Sequence, residues 1–240
     1  LKNIVRLGGS ASKLHLLLLL AAVNMDEQAL THLKALLESM VYYSTVNQIK
    51  TNELERLYAQ WCKQIREIHT DEELTSFINN KIKPTISQWK VNNRSNFMRI
   101  GFDSMQQYRV KFILARITKY VDVRRKNGGD ASNVAEFYEG GIEIEHIMPQ
   151  KYSAAYGISE DDYNATKQRL GNLTLLEKTI NASIGDDAFA SKSEAYRQSA
   201  YYLTRSIAQL DNVGQQTAIN RMNQKLRSWS SWGPSMIEDR

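Results

Sequence analysis

Ile142-Glu-Ile-Glu-His-Ile-Met-Pro-Gln150, followed by Arg169-Leu-Gly-Asn-Leu-Thr-Leu-Leu176 and then Asn181, carries the most information in this chain. Ile142, Ile144 and Ile147 lie apolar around Glu143, Glu145 and His146, an alternation that predicts a short half-buried strand. Such a strand delivers Glu145 and His146 near its end, and Pro149, which has no N–H to donate, forbids further ladder pairing. Gly171-Asn172 reads as a turn and Leu173 to Leu176 as a second strand. Lys178 onward starts a helix with Asn181 in its first turns. The outline is strand, loop, strand, helix.

These residue types suit phosphodiester hydrolysis. A neutral imidazole such as His146 can take a proton from water near neutral pH. A carboxylate (Glu145) and an amide oxygen (Asn181) are hard ligands suited to Mg²⁺, which keeps several of its waters. A bound cation would stabilise charge on the scissile phosphate and the leaving oxygen. Asn172 either holds the loop or fixes the imidazole tautomer through a nearby backbone carbonyl. Taken singly, each of these residues is commonplace, and a lone His at a strand end is usually a satisfied core or surface residue. The ordered combination with Pro149-Gln150 is what points to a site.

That combination resembles the HNH (ββα-metal, His-Me finger) nuclease domain at the C-terminus of GmrSD-type restriction enzymes, and a similar domain occurs in the phosphorothioate-sensing SspE proteins. The resemblance is specific over Ile142 to Asn181 and looser through the rest of the C-terminal region. It implies His146 as general base, Asn172 as the middle residue of the motif, and Glu145 and Asn181 as ligands of Mg²⁺ or Mn²⁺. Asn181 stands where many relatives have His, which favours a hard divalent ion over zinc. Glu145 stands where HNH enzymes often have Asp. The resemblance also implies double-stranded DNA as substrate, an N-terminal ParB-like NTPase domain as partner in the same chain or complex, an anti-phage role and a bacterial cytoplasmic location.

Composition agrees in outline. The 240 residues, 42% of them apolar, suffice for a substantial core. A net charge of +5 and a pI near 9.1 suit an anionic partner. The single cysteine, Cys62, excludes an internal disulfide framework and a Cys-rich zinc site, and reads as a buried helix residue. The start at Leu1 rather than Met is expected for an excised fragment or a processed chain.

Residues 1 to 12 read as a frayed connector with a break at Gly8-Gly9-Ser10. Leu14 to Val23, with leucine at each position from 16 to 20, is too short to span a bilayer and reads as a buried helix. Asp26 caps a following helix striped by Leu30, Leu33, Leu37 and Met40, and Thr51 begins another with Tyr58, Trp61 and Ile65 on one face. Thr70 or Asp71 caps a third, which Lys83-Pro84 ends. His15, His32 and His69 share no spacing with acids that reads as a metal site. Trp89 to Phe102 mixes cations, amides and aromatics; it reads as a polar connection with Trp89 and Phe97 in the core, the alternative being a segment that grips a phosphate backbone while an aromatic stacks.

A strong helix is predicted from Ser104 to Lys126, ending at Asn127-Gly128-Gly129. Its basic later half, with Lys111, Lys119, Arg124 and Arg125, serves either as a solvated face or as a contact for DNA phosphates, and Lys151, Lys167 and Arg169 offer further contacts. Residues 194 to 210 and 214 to 229 read as two more helices, and Pro234 starts a loose tail. The expectation is a mainly helical chain with a small ββα-metal motif: a scaffold over 1–129, and an HNH core with C-terminal helices over 130–240. Competing readings are a catalytically silent DNA-binding module, a helical domain regulating an NTPase partner, and an RNA substrate.

Overall fold

The computed structural model describes residues 2–8, 13–154, 157–212, 214–215 and 217–240. The chain divides into two compact units, Leu1–Met98 and Arg99–Arg240.

The first unit is helical: α1 (Lys2–Gly8), α2 (Leu14–Ala21), α3 (Glu27–Val46), α4 (Thr51–Arg66), α5 (Asp71–Phe77), α6 (Lys83–Lys90) and α7 (Asn93–Phe97). Helix α3 is its axis, packing on α1, α2, α5, α6 and α7 through a stripe that includes the fully buried Leu33, Leu37 and Met40. Its start is fixed by Asp26, whose carboxylate accepts from the Ala29 N–H at 2.6 Å. Thr70 and Glu73 form a capping box at α5.

Three expectations change here. The connector over residues 1–12 contains helix α1, which buries Ile4 and Leu7; from Gly9 the anticipated break lies outside the described residues. The leucine run is helical but only one-sided in burial, with Leu18 inaccessible and Leu20 67% exposed. Pro84 does not stop a helix. A π-helical turn, Ile78–Ile82, carries α5 into α6 through backbone that stays helical, and Pro84 lies just past it at the start of α6.

The second unit comprises α8 (Gln107–Arg125), α9 (Glu136–Glu139), β1 (Ile142–His146), α10 (Glu160–Thr166), β2 (Leu173–Glu177), α11 (Lys178–Ile184), α12 (Phe189–Tyr196), α13 (Tyr202–Ala208), α14 (Ala218–Asn223) and α15 (Pro234–Asp239). The mainly α architecture with one small sheet is as the sequence indicated. β1 and β2 pair antiparallel with Glu145 opposite Thr174 and His146 opposite Leu173, and α11 follows β2 directly. Helix α8 packs on β2, α13 and α14, so the units part at Met98 rather than near Gly129.

The core of this unit joins Ile147 and Leu176 to Ile184, Tyr196 and Ile207, with Trp229 and Trp232 at its margin. The C-terminal helices α13 and α14 are shorter than the periodicity predicted. The tail after Pro234 is ordered as α15: Pro234 sits in the first turn, and Ile237 packs with Met148 and Tyr163. No described helix is long and apolar enough to cross a membrane.

Candidate active site

The loop after β1 is held by one side chain. Asn172, fully buried, accepts from the Met148 N–H at 2.7 Å and from the Trp232 indole N–H at 3.0 Å. Its amide donates to the carbonyls of Met148 (3.1 Å) and Lys167 (2.7 Å). The Asn172 carbonyl also accepts from the Ile147 N–H at 2.9 Å. Every polar position of this amide is therefore used, and it shapes the turn that leads out of β1. Of the two roles open to Asn172, holding the loop is the one its contacts serve.

His146 closes β1 and is 4% exposed. Its Nε2 lies 3.1 Å from Gln168 Oε1, and Phe102 meets the ring edge-on at a centroid distance of 4.8 Å. Both neighbours come from one short pairing. Gly101 bridges Arg169, the Phe102 N–H donates to the Gln168 carbonyl at 2.6 Å, and the Leu170 N–H donates to the Ile100 carbonyl at 2.9 Å. With the Gln168 amide oxygen turned to the ring, the contact is met by the tautomer that carries its proton on Nε2 and keeps the lone pair on Nδ1. Burial lowers the imidazole pKa below its ordinary value, against the opposing pull of the Gln168 contact. His146 is thus uncharged at neutral pH.

Strand alternation sends Glu143 and Glu145 to one face of β1 and His146 to the other. Glu145 enters the core. Its Oε1 accepts from Lys192 Nζ at 2.7 Å and from the Tyr196 hydroxyl at 2.8 Å. Lys192, 1% exposed, also donates to the His146 carbonyl at 2.7 Å. Burial pushes the Glu145 carboxyl above its ordinary pKa, while the ammonium of Lys192 pulls it down. Asn181, half-buried on α11, donates to Glu143 Oε2 at 2.8 Å.

The residues expected to hold a cation are thus parted: Glu145 sits with Lys192, and Asn181 sits with Glu143. The Glu145 carboxylate is committed to a buried ammonium and a phenol, a poor fit to a metal ligand. Asn181 turns its amide nitrogen to the Glu143 carboxylate, so the two oxygens that would suit Mg²⁺ come together only if that hydrogen bond opens. No group of three or more His, Cys, Asp or Glu side chains able to hold a metal occurs among the described residues.

Most of the candidate cations have partners inside the unit. Lys111 Nζ donates to the Ile142 carbonyl at 2.6 Å, Lys119 pairs with Glu136 at 2.9 Å, and Arg125 pairs with Asp211 over the Tyr202 ring. Lys167 bonds Asn164 at 2.7 Å, and Arg169 pairs with Glu238 at 2.8 Å. Arg124 is exposed over Tyr120, and Lys151, 3.7 Å from Asp186, has a side chain 86% exposed. Arg124 and Lys151 are the two whose charge meets solvent most openly.

Sequence reasoning passed over Gln168, Phe102, Glu143 and Tyr196. Glu143 carried a signal, the two-residue spacing to Glu145 on a strand, which puts both carboxylates on one face. Lys192 also carried one, a lone cation in the apolar context of Phe189 and Tyr196. Gln168 and Phe102 carried none, since their approach to His146 depends on a long-range bridge. Residues 88–240 match the family described as GmrSD restriction endonucleases, C-terminal domain. A comparison with curated proteins returned no match.

Proposed function

The chain belongs to the GmrSD restriction endonuclease C-terminal domain family, and we propose that its second unit is an HNH-type nuclease hydrolysing DNA phosphodiesters with His146 as general base. The family implies endonuclease activity on DNA. The observation that carries the finer reading is the placement of His146: buried at the end of β1, with Nε2 3.1 Å from Gln168 Oε1. Nδ1 accepts a proton from water as the water oxygen bonds to phosphorus, and the bond from phosphorus to the leaving sugar oxygen breaks. The leaving oxygen then takes a proton from solvent.

To a divalent cation, Mg²⁺ or Mn²⁺, we assign Glu143 and Asn181, whose mutual hydrogen bond would have to open for the amide oxygen to turn toward the ion. Such an ion supplies charge stabilisation at the phosphate when bound. Glu145 has a different part: with Lys192 and Tyr196 it anchors the end of β1, so that the His146 backbone is fixed before substrate arrives. Asn172 fixes the loop that follows. Arg124 and Lys151 are the best placed of the candidate cations to meet the phosphate backbone. A ParB-like NTPase domain, in the same chain or complex, is the partner to which we assign substrate selection in an anti-phage system.

Supercoiled-plasmid cleavage by the parent and by His146→Ala, each with Mg²⁺, Mn²⁺ or EDTA, tests this reading. Metal-dependent nicking or linearisation by the parent alone is the expected result. Equal cleavage by the two proteins would overturn the assignment of His146.

A further inference from the structure

We propose that a cleft between the C-terminal end of α8 and α14 is a binding site for a nucleoside phosphate, separate from the His146 site. The cleft encloses about 580 Å³ and takes three cations, Arg124, Arg221 and Lys225, from two different helical segments. No Asp or Glu is among its described lining residues. Its volume lies within the range of small-ligand sites, about 300–1,000 Å³, and exceeds what a bare phosphate fills.

The side chains are arranged for such a ligand. The Arg124 guanidinium lies over the Tyr120 ring, 5.4 Å from its centroid, so the aromatic face supports an exposed cation. Arg221 donates to Asn127 Oδ1 at 3.1 Å, which orients its guanidinium beside the turn that ends α8. Lys225 is exposed one turn beyond. Buried Met222 contributes an apolar floor suited to a sugar or base. Three cations around an apolar floor, with no Asp or Glu among the described lining residues, suit an anion that carries an organic body. Arg125 on the same helix is already paired with Asp211, so it adds little to the field there.

The chemistry named is a phosphate attached to a nucleoside. Its source is either a nucleotide unit of a DNA strand or a free nucleotide, and only the first of these rests on the nuclease reading. If a strand is the source, the cleft holds backbone at a distance from the cut, a contact that adds affinity without sequence information.

The test uses the chain carrying His146→Ala, so that no probe is cut, with a short fluorescent DNA duplex and deoxyadenosine monophosphate as probes. Arg124→Ala/Arg221→Ala/Lys225→Ala is compared with Lys34→Ala/Lys63→Ala/Lys81→Ala, which removes the same charge from exposed positions of the first unit. The cleft variant should bind duplex about tenfold or more weakly. Its salt dependence should flatten by roughly 0.9 in logarithmic slope for each phosphate that the variant no longer neutralises, whereas the control should stay close to the parent. Loss of duplex binding alone assigns the site to a strand, and loss of mononucleotide binding alone assigns it to a free nucleotide. Equal affinities of cleft variant and control for both probes, or no binding of either probe by the parent, would overturn the proposal. Plasmid cleavage by the cleft variant with His146 restored is scored separately, so an inactive nuclease and an absent cleft site give different results.

Discussion

Lys192 Nζ lies 2.7 Å from both Glu145 Oε1 and the His146 carbonyl oxygen, so one buried ammonium ties a carboxylate and the backbone of the proposed base together. Burying two charges is costly, and such a pair is stable only when its remaining bonding capacity is met. Tyr196 meets part of it, with its hydroxyl on the same carboxylate oxygen.

Lys192→Met keeps most of the side-chain volume and leaves Glu145 buried without a counter-charge. The expected loss is about 3–5 kcal/mol, measured by urea unfolding. Adding Glu145→Gln should recover most of it, because an amide needs no counter-ion and can still accept from Tyr196. A single variant as stable as the parent would show that the pair does not hold β1.

His146 predicts a pH dependence of definite sign. Burial lowers its folded pKa, so the base stays unprotonated as pH falls through the ordinary histidine value of about 6.5. The acid limb of the cleavage rate should therefore lie below that value. Stability moves too. Between the unfolded and folded pKa values the unfolded chain binds more protons, so stability falls as pH drops below about 6.5 and levels off beneath the folded pKa. His146→Gln should remove that part of the slope in unfolding experiments across the same window.

Gln168 orients the imidazole, and its removal should affect turnover more than folding. Gln168→Leu retains the volume and loses the acceptor. Cleavage should fall roughly tenfold to a hundredfold through misorientation of the base, with little change in the unfolding midpoint. Gln168→Glu keeps an acceptor and adds a negative charge beside the ring, which favours the imidazolium and moves the acid limb upward. A Glu variant with an unmoved limb would place Gln168 outside the electrostatics of the base.

The strand, turn, strand, helix order was legible because period-two alternation, a proline and a glycine mark it locally, and the caps at Asp26 and Thr70 were legible for the same reason. Which polar group meets which was not. Glu145 finds Lys192 and Asn181 finds Glu143 across long stretches of chain, and two carboxylates on one strand face are equivalent in a motif. Pro84, read as a helix end, lies past a π-turn in backbone that stays helical, and Pro234, read as the start of a loose tail, sits in the first turn of α15, a position the residue suits equally well. The leucine run shows the remaining limit: hydropathy alone does not say which side of a helix has a neighbour.

Gly171 offers the most severe local test of the loop beside His146. A Cβ built there would stand 2.0 Å from the Ile237 carbonyl oxygen, a backbone atom of α15 that has no rotamer by which to move aside. Gly171→Ala must therefore push α15 away. That strains the Arg240 donations to the carbonyls of Gly171 (2.9 Å) and Leu173 (2.7 Å) and loosens the packing of Ile237 on Met148 and Tyr163. The expected cost is about 1–3 kcal/mol or more, as for overpacking of a filled core. Gly233→Ala, at the cap of the same helix, has extended backbone and no atom near the added carbon, so it should change stability by less than about 0.5 kcal/mol. Thermal unfolding of the two variants measures the difference. Because Asn172 follows directly and holds both the Met148 backbone and Trp232, Gly171→Ala should also depress cleavage, while Gly233→Ala leaves it intact. Equal midpoints for the two variants would mean that α15 is not seated on the turn as described.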